Sequence, residues 1–321
     1  MLWMNKIEFI LITLGFLTGI ASFIYGVTLT SRGLRAVGSA RMKNILATST
    51  RNAFMGVLTG ALATVVLESS SVTIIMVIAL VNAGLLTFEQ SLGVILGANI
   101  GTTIGTEIIA LDITTYLAIP MLLIGGLILR AKKTRIRQVG ISLLGMGLIF
   151  FGLAVMSGSL NPLRDYPPLI ESLSKLEDPF WGVLSGGLVT LMIQSSSATL
   201  GIIISLADQG LITLSGAVAA ILGAEIATCS DTLLATIGRS REAVRAGIFH
   251  LFFNISTVTL GILFFFPFLE LVEWISLDAS LPRQVANAQV LFNLLGVLLF
   301  IQFIPLIAKI INTVIPNKYG L

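Results

Sequence analysis

The chain has 321 residues, of which 55% are hydrophobic and only 11% are charged. A soluble domain normally carries about 25% charged residues, so this composition excludes an ordinary soluble protein and indicates a polytopic membrane protein. The net charge of +3 is less informative than the places where the charges lie, and the single cysteine excludes an internal disulfide.

Apolar stretches that approach the roughly 20 residues needed to cross the hydrocarbon core occur seven times along the chain. The predicted spans are 7–31, 92–110, 115–131, 138–157, 214–237, 243–267 and 284–312. Residues 35–50 and 163–177 are more polar, and they predict amphipathic helices at the membrane interface. The sequence therefore predicts an all-α membrane protein.

Two further apolar segments, 52–83 and 178–209, fit a single crossing badly because a serine tract interrupts each in its middle. The first tract reads ESSSVT from Glu68, and the second reads QSSSAT from Gln194. Each segment is consistent with two short crossings or with one re-entrant hairpin that enters and leaves on the same side.

The charge distribution favours the hairpins. If both segments are hairpins, the basic clusters within 32–51, 130–137 and 239–245 all fall inside, and the acidic or mixed loops 158–178 and 268–283 fall outside. This arrangement predicts seven spans and two hairpins in the cell membrane, with the N-terminus outside and the C-terminus cytoplasmic.

The two halves of the chain are related by an offset of 126 residues. From Gly56 aligned with Gly182, about 22 of 51 positions are identical. Because 32–51 is predicted inside and its counterpart 158–177 outside, the repeats are inverted. We predict a first repeat over 1–134, a second over 135–267 and a C-terminal helix within 268–321. The hairpins would enter from opposite faces, and their tips would meet near the midplane.

A break at a serine tract frees backbone N–H groups at the start of the second half-helix. These groups and the positive end of the helix dipole suit an anion. Serine hydroxyls add donors, and their oxygens can also accept a small cation. The alternative is that the hydroxyls only bond to the preceding turn or join helices, but finding two tracts at matched positions weakens it. With no Lys or Arg near either tract in the sequence, cation-coupled transport is favoured over an anion pore.

Ionisable groups at membrane depth are costly and usually functional, which draws attention to Glu68 and Glu225. Glu107 and Asp231 are as consistent with span ends as with function. Other polar residues lie in register between the repeats: Thr73 with Thr199, Asn99 with Glu225, and Thr102 with Thr228.

These segments resemble the type II sodium/phosphate cotransporter family, which is marked by two inverted repeats with QSSS, each followed by a GANIGTT-like stretch. The matching segments here are 54–73 with GANIGTT from Gly97, and 180–199 with GAEIATC from Gly223. The resemblance covers nearly the whole chain. It implies sodium-coupled uptake of inorganic phosphate by alternating access, with phosphate and sodium held between the hairpin tips.

The resemblance also implies site residues. Phosphate would be held by Ser69, Ser70, Ser71, Gln194, Ser195, Ser196 and Ser197. The resemblance assigns sodium to Thr73, Thr199 and Asn99, and with the residues in register the predicted cation-binding set is Glu68, Thr73, Asn99, Thr102, Thr199, Glu225 and Thr228. The expected partners are phosphate, sodium ions and the lipid bilayer, with no organic cofactor and no nucleic acid, and a homo-oligomer is left open.

Two departures from the family pattern leave alternatives open. Glu68 stands where the family has Gln, and Glu225 stands where it has Asn. A carboxylate repels phosphate unless it is protonated or bound to a cation, so proton coupling and another small oxyanion remain alternatives.

From another class, an intramembrane serine hydrolase would need a base near the serine, and His250 is the only histidine. We interpret the segment FHLFFN around His250, and the similar QVLFN from Gln289, as packing segments. A transporter rather than an enzyme is expected.

Overall fold

The computed structural model describes residues 6–50, 52–111 and 114–316. Within these ranges the chain forms helices and no strand, which confirms the all-α prediction. The α-helices of the described chain are, in order, α1 (Lys6–Thr48), α2 (Ala53–Leu67), α3 (Ser70–Asn82), α4 (Phe88–Ile109), α5 (Thr114–Ile128), α6 (Thr134–Leu160), α7 (Pro167–Ser174), α8 (Pro179–Ile193), α9 (Ser196–Asp208), α10 (Leu214–Ala227), α11 (Cys229–Leu234), α12 (Arg241–Leu263), α13 (Phe265–Ile275), α14 (Leu281–Ile301) and α15 (Ile304–Val314).

Six helical stretches within the described residues are long and apolar enough to cross a membrane, so the polytopic architecture is confirmed. They are Ile7–Ser39, Phe88–Ile109, Thr134–Leu163, Leu214–Leu234, Arg241–Leu263 and Leu281–Ile301. The remaining predicted span, 115–131, corresponds to α5, which has only 15 residues and contains Pro120.

The sequence predicts that the first span ends at residue 31, but α1 continues without interruption to Thr48. Because residues 32–48 are polar, the sequence predicts that the span ends before them. These residues nevertheless contain no proline and are rich in Ala, Leu, Arg and Lys. These residues favour a helix in water as well as in lipid. The predicted interfacial helix over 35–50 is therefore the end of α1.

Two predicted spans end earlier than expected, because a proline follows each end. Within 284–312 the helix is interrupted between α14 and α15, where Pro305 lacks the N–H that would bond to the Ile301 carbonyl. Pro267 acts in the same way on the Leu263 carbonyl, so α12 ends there. The segment predicted as a loop over 268–283 then begins inside α13.

The chain forms two compact units, each assembled from three segments. Unit one contains the described residues of Met1–Val37, Thr106–Ala224 and Phe266–Ala288. Unit two contains those of Gly38–Gly105, Glu225–Phe265 and Gln289–Leu321. Each unit draws segments from both sequence repeats, and the division of the chain into repeats at 134 and 267 stays a prediction.

In unit one, α1 crosses α6 in the antiparallel direction through glycines. A Cβ at Gly26 would lie 2.6 Å from the carbonyl oxygen of Gly145, and one at Gly152 would lie 2.7 Å from that of Gly19. The offset of 126 residues relates Gly19 to Gly145 and Gly26 to Gly152. Gly19 thus contacts Gly152, the counterpart of Gly26, and Gly26 contacts Gly145, the counterpart of Gly19. A two-fold axis between inverted repeats produces this exchange.

Unit two contains the first hairpin. The hydroxyls of Thr64 in α2 and Thr73 in α3 lie 3.0 Å apart. Residues nine apart in a continuous helix would be separated by about 13.5 Å along its axis, so the chain reverses between them, as the hairpin prediction requires. In unit one, Thr190 of α8 and Thr199 of α9 lie 2.8 Å apart, and the second hairpin reverses in the same way.

Close helix contacts hold the first half of each hairpin. In unit two, a Cβ at Gly60 of α2 would overlap the Val94 carbonyl of α4. In unit one, a Cβ at Gly186 of α8 would overlap the Ala220 carbonyl of α10. Only glycine leaves room for this approach. As a result α4, which carries GANIGTT, lies directly against the first hairpin, and α10, in which GAEIATC begins, lies directly against the second.

Candidate functional site

The first serine tract forms the break between α2 and α3. α2 ends at Leu67, and the next residue, Glu68, adopts a left-handed backbone with φ 55°. This conformation costs a residue with a side chain about 1–2 kcal/mol. Ser69 is extended, and its side chain accepts a hydrogen bond from the Val72 N–H at 3.3 Å. The serine therefore serves as the N-cap of α3.

The second tract repeats this geometry between α8 and α9. Gln194 has φ 57°, and its Nε2 donates to the Leu191 carbonyl at 2.6 Å. Ser195 is extended and accepts from the Ala198 N–H at 3.2 Å, which caps α9. The left-handed residue and the capping serine thus occur at the same relative positions in both repeats.

A pair of threonines closes each hairpin behind its break. The Thr64 hydroxyl donates to the Thr73 hydroxyl, and Thr73 donates in turn to the Ser69 carbonyl at 3.1 Å. Thr190 and Thr199 make the equivalent contacts. The hydroxyl hydrogens of Thr73 and Thr199, both predicted to serve sodium, are therefore already used. Sequence reasoning missed Thr64 and Thr190, although the offset of 126 residues pairs them.

The first turns of α3 and α9 carry the groups that an anion can bind. The backbone N–H groups of Ser70 and Ser71 precede the first intrahelical acceptor of α3, and Ser196 and Ser197 hold the same places in α9. All four residues are partly exposed. Three of their hydroxyls, those of Ser70, Ser196 and Ser197, have no hydrogen-bond partner in the part of the chain that the structure describes.

Ser71 differs, because its side chain lies within hydrogen-bonding reach of Asp231 of α11. The sequence leaves Asp231 undecided between a span end and a functional residue, and the structure places it beside the first tract. Glu107, the other undecided carboxylate, pairs with Arg283 at 3.1 Å in unit one. If the Ser71 hydroxyl bound an anion, as the sequence predicts, a proton or a cation would be required between that anion and the Asp231 carboxylate.

Asn99 is buried in α4 and belongs to a chain of amide hydrogen bonds in unit two. Its Nδ2 donates to the Asn254 Oδ1 of α12 at 3.1 Å. The Asn254 Nδ2 donates in turn to the backbone carbonyl of Glu225 at 2.7 Å. Buried amides are normally satisfied in this way, so these bonds fix Asn99 relative to Glu225.

The Glu225 carboxylate accepts two amide hydrogen bonds from α14. The donors to its Oε1 are Gln289 Nε2 at 3.2 Å and Asn293 Nδ2 at 3.0 Å. The packing interpretation of QVLFN therefore missed a polar role. The signal was present in the sequence, because Gln289 and Asn293 repeat the four-residue spacing of His250 and Asn254, and Asn254 contacts Asn99.

The hydroxyls of two other predicted cation-binding residues turn to their own helices. Thr102 donates to the Ala98 carbonyl at 3.2 Å, and Thr228 donates to the Glu225 carbonyl at 2.6 Å. Threonines in apolar helices commonly bond to the preceding turn in this way. Only the remaining lone pairs of these hydroxyls are free for a cation.

His250 is buried in α12, and both nitrogens of its ring have neighbours in unit two. Nδ1 lies 2.8 Å from the Thr232 Oγ1, and Nε2 lies 3.3 Å from the Asn254 Nδ2. A serine hydrolase needs a histidine nitrogen within reach of the nucleophilic hydroxyl. These contacts give that alternative no support.

The predicted site residues are divided between the two units. Unit two holds the first tract and most of the cation-binding set: Glu68, Ser69, Ser70, Ser71, Thr73, Asn99, Thr102, Glu225 and Thr228. Unit one holds Gln194, Ser195, Ser196, Ser197 and Thr199. The meeting of the two hairpin tips stays a prediction.

Comparison with known proteins places these motifs in one family. The family model described as Na+/Pi-cotransporter matches residues 22–158 and 169–300. The two matches include both hairpins and the helices that pack against them. No solved structure matches the chain.

Individual relatives agree with this match. The uncharacterized protein YqeW of Bacillus subtilis (strain 168) is 32% identical over 96% of this chain and 100% of its own length. YjbB of Escherichia coli (strain K12), whose name assigns it to inorganic phosphate export, is 25% identical over 94% of this chain, which spans only 55% of that protein. The human sodium-dependent phosphate transport protein 2B is 33% identical over 32% of this chain and 15% of its own length.

Proposed function

This chain belongs to the Na+/Pi-cotransporter family, and we propose that it imports inorganic phosphate across the cell membrane together with sodium ions. The observation that carries the proposal is the repeated break. A left-handed residue, a capping serine and two free first-turn N–H groups occur once in each hairpin. Helix N-termini of this kind bind oxyanions such as phosphate.

The left-handed residues support the same function. A glycine at position 68 or 194 would remove the backbone cost of this conformation. Glu68 and Gln194 stand there instead, and we attribute a role at the breaks to their side chains. We assign the Gln194 amide to phosphate, and we assign the Glu68 carboxylate to the coupling cation.

The serines would bind phosphate through two kinds of donor. The N–H groups at the start of α3 and α9 supply the positive ends of two helix dipoles. The hydroxyls of Ser70, Ser196 and Ser197 add donors, while Ser69 and Ser195 cap the helices. Because dipoles and hydroxyls carry no net charge, the charge of phosphate has to be balanced by bound cations.

Sodium coupling and the direction of transport are separate parts of the proposal. The human relative is named for sodium-dependent phosphate transport, whereas the E. coli relative is named for phosphate export. An inward sodium gradient drives a symporter inward, so we propose uptake by alternating access. The N-terminus would lie outside and the C-terminus in the cytoplasm.

The experiment is uptake of labelled phosphate into proteoliposomes of the purified chain. Four conditions separate the possibilities: an inward sodium gradient, an outward sodium gradient, a proton gradient alone and no gradient. Accumulation only with the inward sodium gradient, competed by unlabelled phosphate and not by sulfate, is the expected result.

Accumulation driven by a proton gradient alone would show that the coupling ion is a proton and not sodium. Flux that needs no cation gradient would indicate a pore rather than a carrier. Competition by sulfate as effective as that by phosphate would broaden the substrate to other oxyanions.

A further inference from the structure

Glu225 places a carboxylate where the first repeat has the neutral Asn99. Asn99 contacts Asn254, the last residue of an i, i+4 polar pair on α12, at 3.1 Å. Glu225 contacts Asn293, the last residue of the corresponding pair on α14, at 3.0 Å. The two contacts resemble each other in position and differ in charge, because only the second includes an ionisable group.

The hydrogen bonds of Glu225 suit the ionised carboxylate. Both donors, Gln289 Nε2 and Asn293 Nδ2, approach the same oxygen, Oε1. An ionised carboxylate only accepts hydrogen bonds, and the two amide donors on Oε1 are compatible with that form. Its negative charge still has to be balanced, because an isolated charge within a span is costly.

Among the described residues of unit two, the Glu225 carboxylate is hydrogen-bonded by neutral side chains. The direct partners of that carboxylate are the two neutral amides of α14. A proton or a bound cation therefore has to balance the carboxylate.

Gln289 provides a second, independent sign of a missing ligand. Its side chain is 2% exposed, and its Nε2 is used by Glu225. Its Oε1 is buried and has no hydrogen-bond partner among the described residues. Buried acceptors without a partner are rare in folded proteins, and a bound cation would give this oxygen the contact that it lacks.

We propose that Glu225, Gln289 and Asn293 form a sodium site in unit two, distinct from the two serine tracts. Sodium is a hard cation and prefers oxygen ligands. The Glu225 carboxylate would supply the charge, and the amide oxygens of Gln289 and Asn293 would complete the protein ligands. The inference rests on the proposed function in one respect, namely that the ion bound here would be a coupling ion in addition to the cation assigned to Glu68.

The test measures sodium binding without phosphate. Thermal unfolding of the purified full-length chain in detergent is followed while sodium chloride replaces choline chloride at constant ionic strength. We expect the parent Tm to rise with sodium and to saturate. Glu225→Gln should reduce this rise, and Gln289→Leu should need roughly tenfold more sodium. Glu107→Gln, which removes a carboxylate from unit one, should keep the sodium response.

Three results would overturn the site. The first is no sodium-dependent rise of Tm in the parent, and the second is an unchanged rise in Glu225→Gln. The third is a parent Tm that depends on pH but not on sodium, together with loss of the pH dependence in Glu225→Gln. If Glu225→Gln does not fold, Glu225→Asp keeps the charge and moves it, and an unaltered sodium response in that variant would also refute the site.

Phosphate uptake by the parent is measured separately. A parent that binds sodium but does not carry phosphate would retain the site and refute the proposed function. A parent that carries phosphate without a sodium response would refute the site alone.

Discussion

Ser195 and Ser196 are neighbours in the second break, but their hydroxyls do different things. The Ser195 hydroxyl accepts from the Ala198 N–H at 3.2 Å and caps α9. The Ser196 hydroxyl has no partner among the described residues, and it lies beside the free N–H groups of the first helical turn. Stability therefore depends on the first serine, and substrate binding is assigned to the second.

Replacing each serine by alanine separates the two roles. Ser195→Ala should lower the stability by about 1 kcal/mol through loss of the cap. Ser196→Ala should leave the Tm unchanged and reduce phosphate uptake by roughly tenfold or more, because a hydrogen bond to a charged group contributes about 1.5–3 kcal/mol. Tm in detergent and uptake in proteoliposomes measure the two effects. Normal uptake by Ser196→Ala would remove this serine from the site.

Glu68 is the residue at which the first break departs from the second, and its charge can be removed at nearly constant size. Glu68→Gln should keep phosphate transport and change its dependence on sodium or pH, because a coupling charge is lost. Glu68→Ala should transport less, since the polar group is lost as well. Uptake over a sodium series and a pH series measures this. Identical curves for Glu68→Gln and the parent would show that Glu68 carries no coupling charge.

Single residues also show what a sequence can predict about a site. The serine tracts were identifiable because they repeat, and the repeat marks the breaks. The partners of Glu225 were not, because Gln289 and Asn293 lie more than 60 residues away in the sequence and reach the carboxylate only through the packing of α14. Their hydrophobic surroundings made a packing role the simpler interpretation.

At the scale of helices, backbone contacts through glycine hold the hairpins in place. Gly60 brings α2 against α4 in unit two, and Gly186 brings α8 against α10 in unit one. Each of these contacts places a half-helix that ends at a break against the helix that carries the GANIGTT or GAEIATC sequence of the same repeat. The glycines therefore support the position of both breaks without taking part in binding.

Adding one methyl group tests these contacts. In Gly60→Ala and Gly186→Ala the new Cβ would overlap a backbone carbonyl that cannot move aside, so we expect each to destabilise the protein by about 1–3 kcal/mol or more. Gly158→Ala is the matched control in α6, because a Cβ there meets nothing within 4 Å. Its Tm should stay equal or rise slightly, since alanine favours a helix. Equal Tm values for all three variants would contradict the close packing.

Helix boundaries were less predictable than helix positions. Polarity placed the end of the first span at residue 31, but helix propensity carries α1 to Thr48. Apolar character extended the last span to residue 312, but Pro305 ends the regular hydrogen bonding near Ile301. Hydropathy reports the surroundings of a segment, whereas backbone chemistry decides where its helix ends.

For the whole molecule, the sequence repeat and the helix packing point to the same symmetry. In unit one, Gly19 contacts Gly152 and Gly26 contacts Gly145, so equivalent helices of the two repeats cross with exchanged positions. A two-fold axis that produces this exchange turns one repeat upside down relative to the other. The charges of the loops lead to the same inverted arrangement from an independent property.

Inverted repeats place equivalent residues on opposite faces of the membrane, and Thr87 and Thr213 test this directly. They are exposed, follow the two hairpins and are related by the offset of 126 residues. Thr87 should lie on the cytoplasmic side with the basic cluster of 32–51, and Thr213 on the outside with the loop 158–178.

In intact cells, a membrane-impermeant maleimide should label Thr213→Cys and not Thr87→Cys, and inside-out vesicles should reverse the result. The native Cys229 is 1% exposed, so the unsubstituted chain should stay unlabelled. Labelling of both variants from one face would contradict the inverted topology.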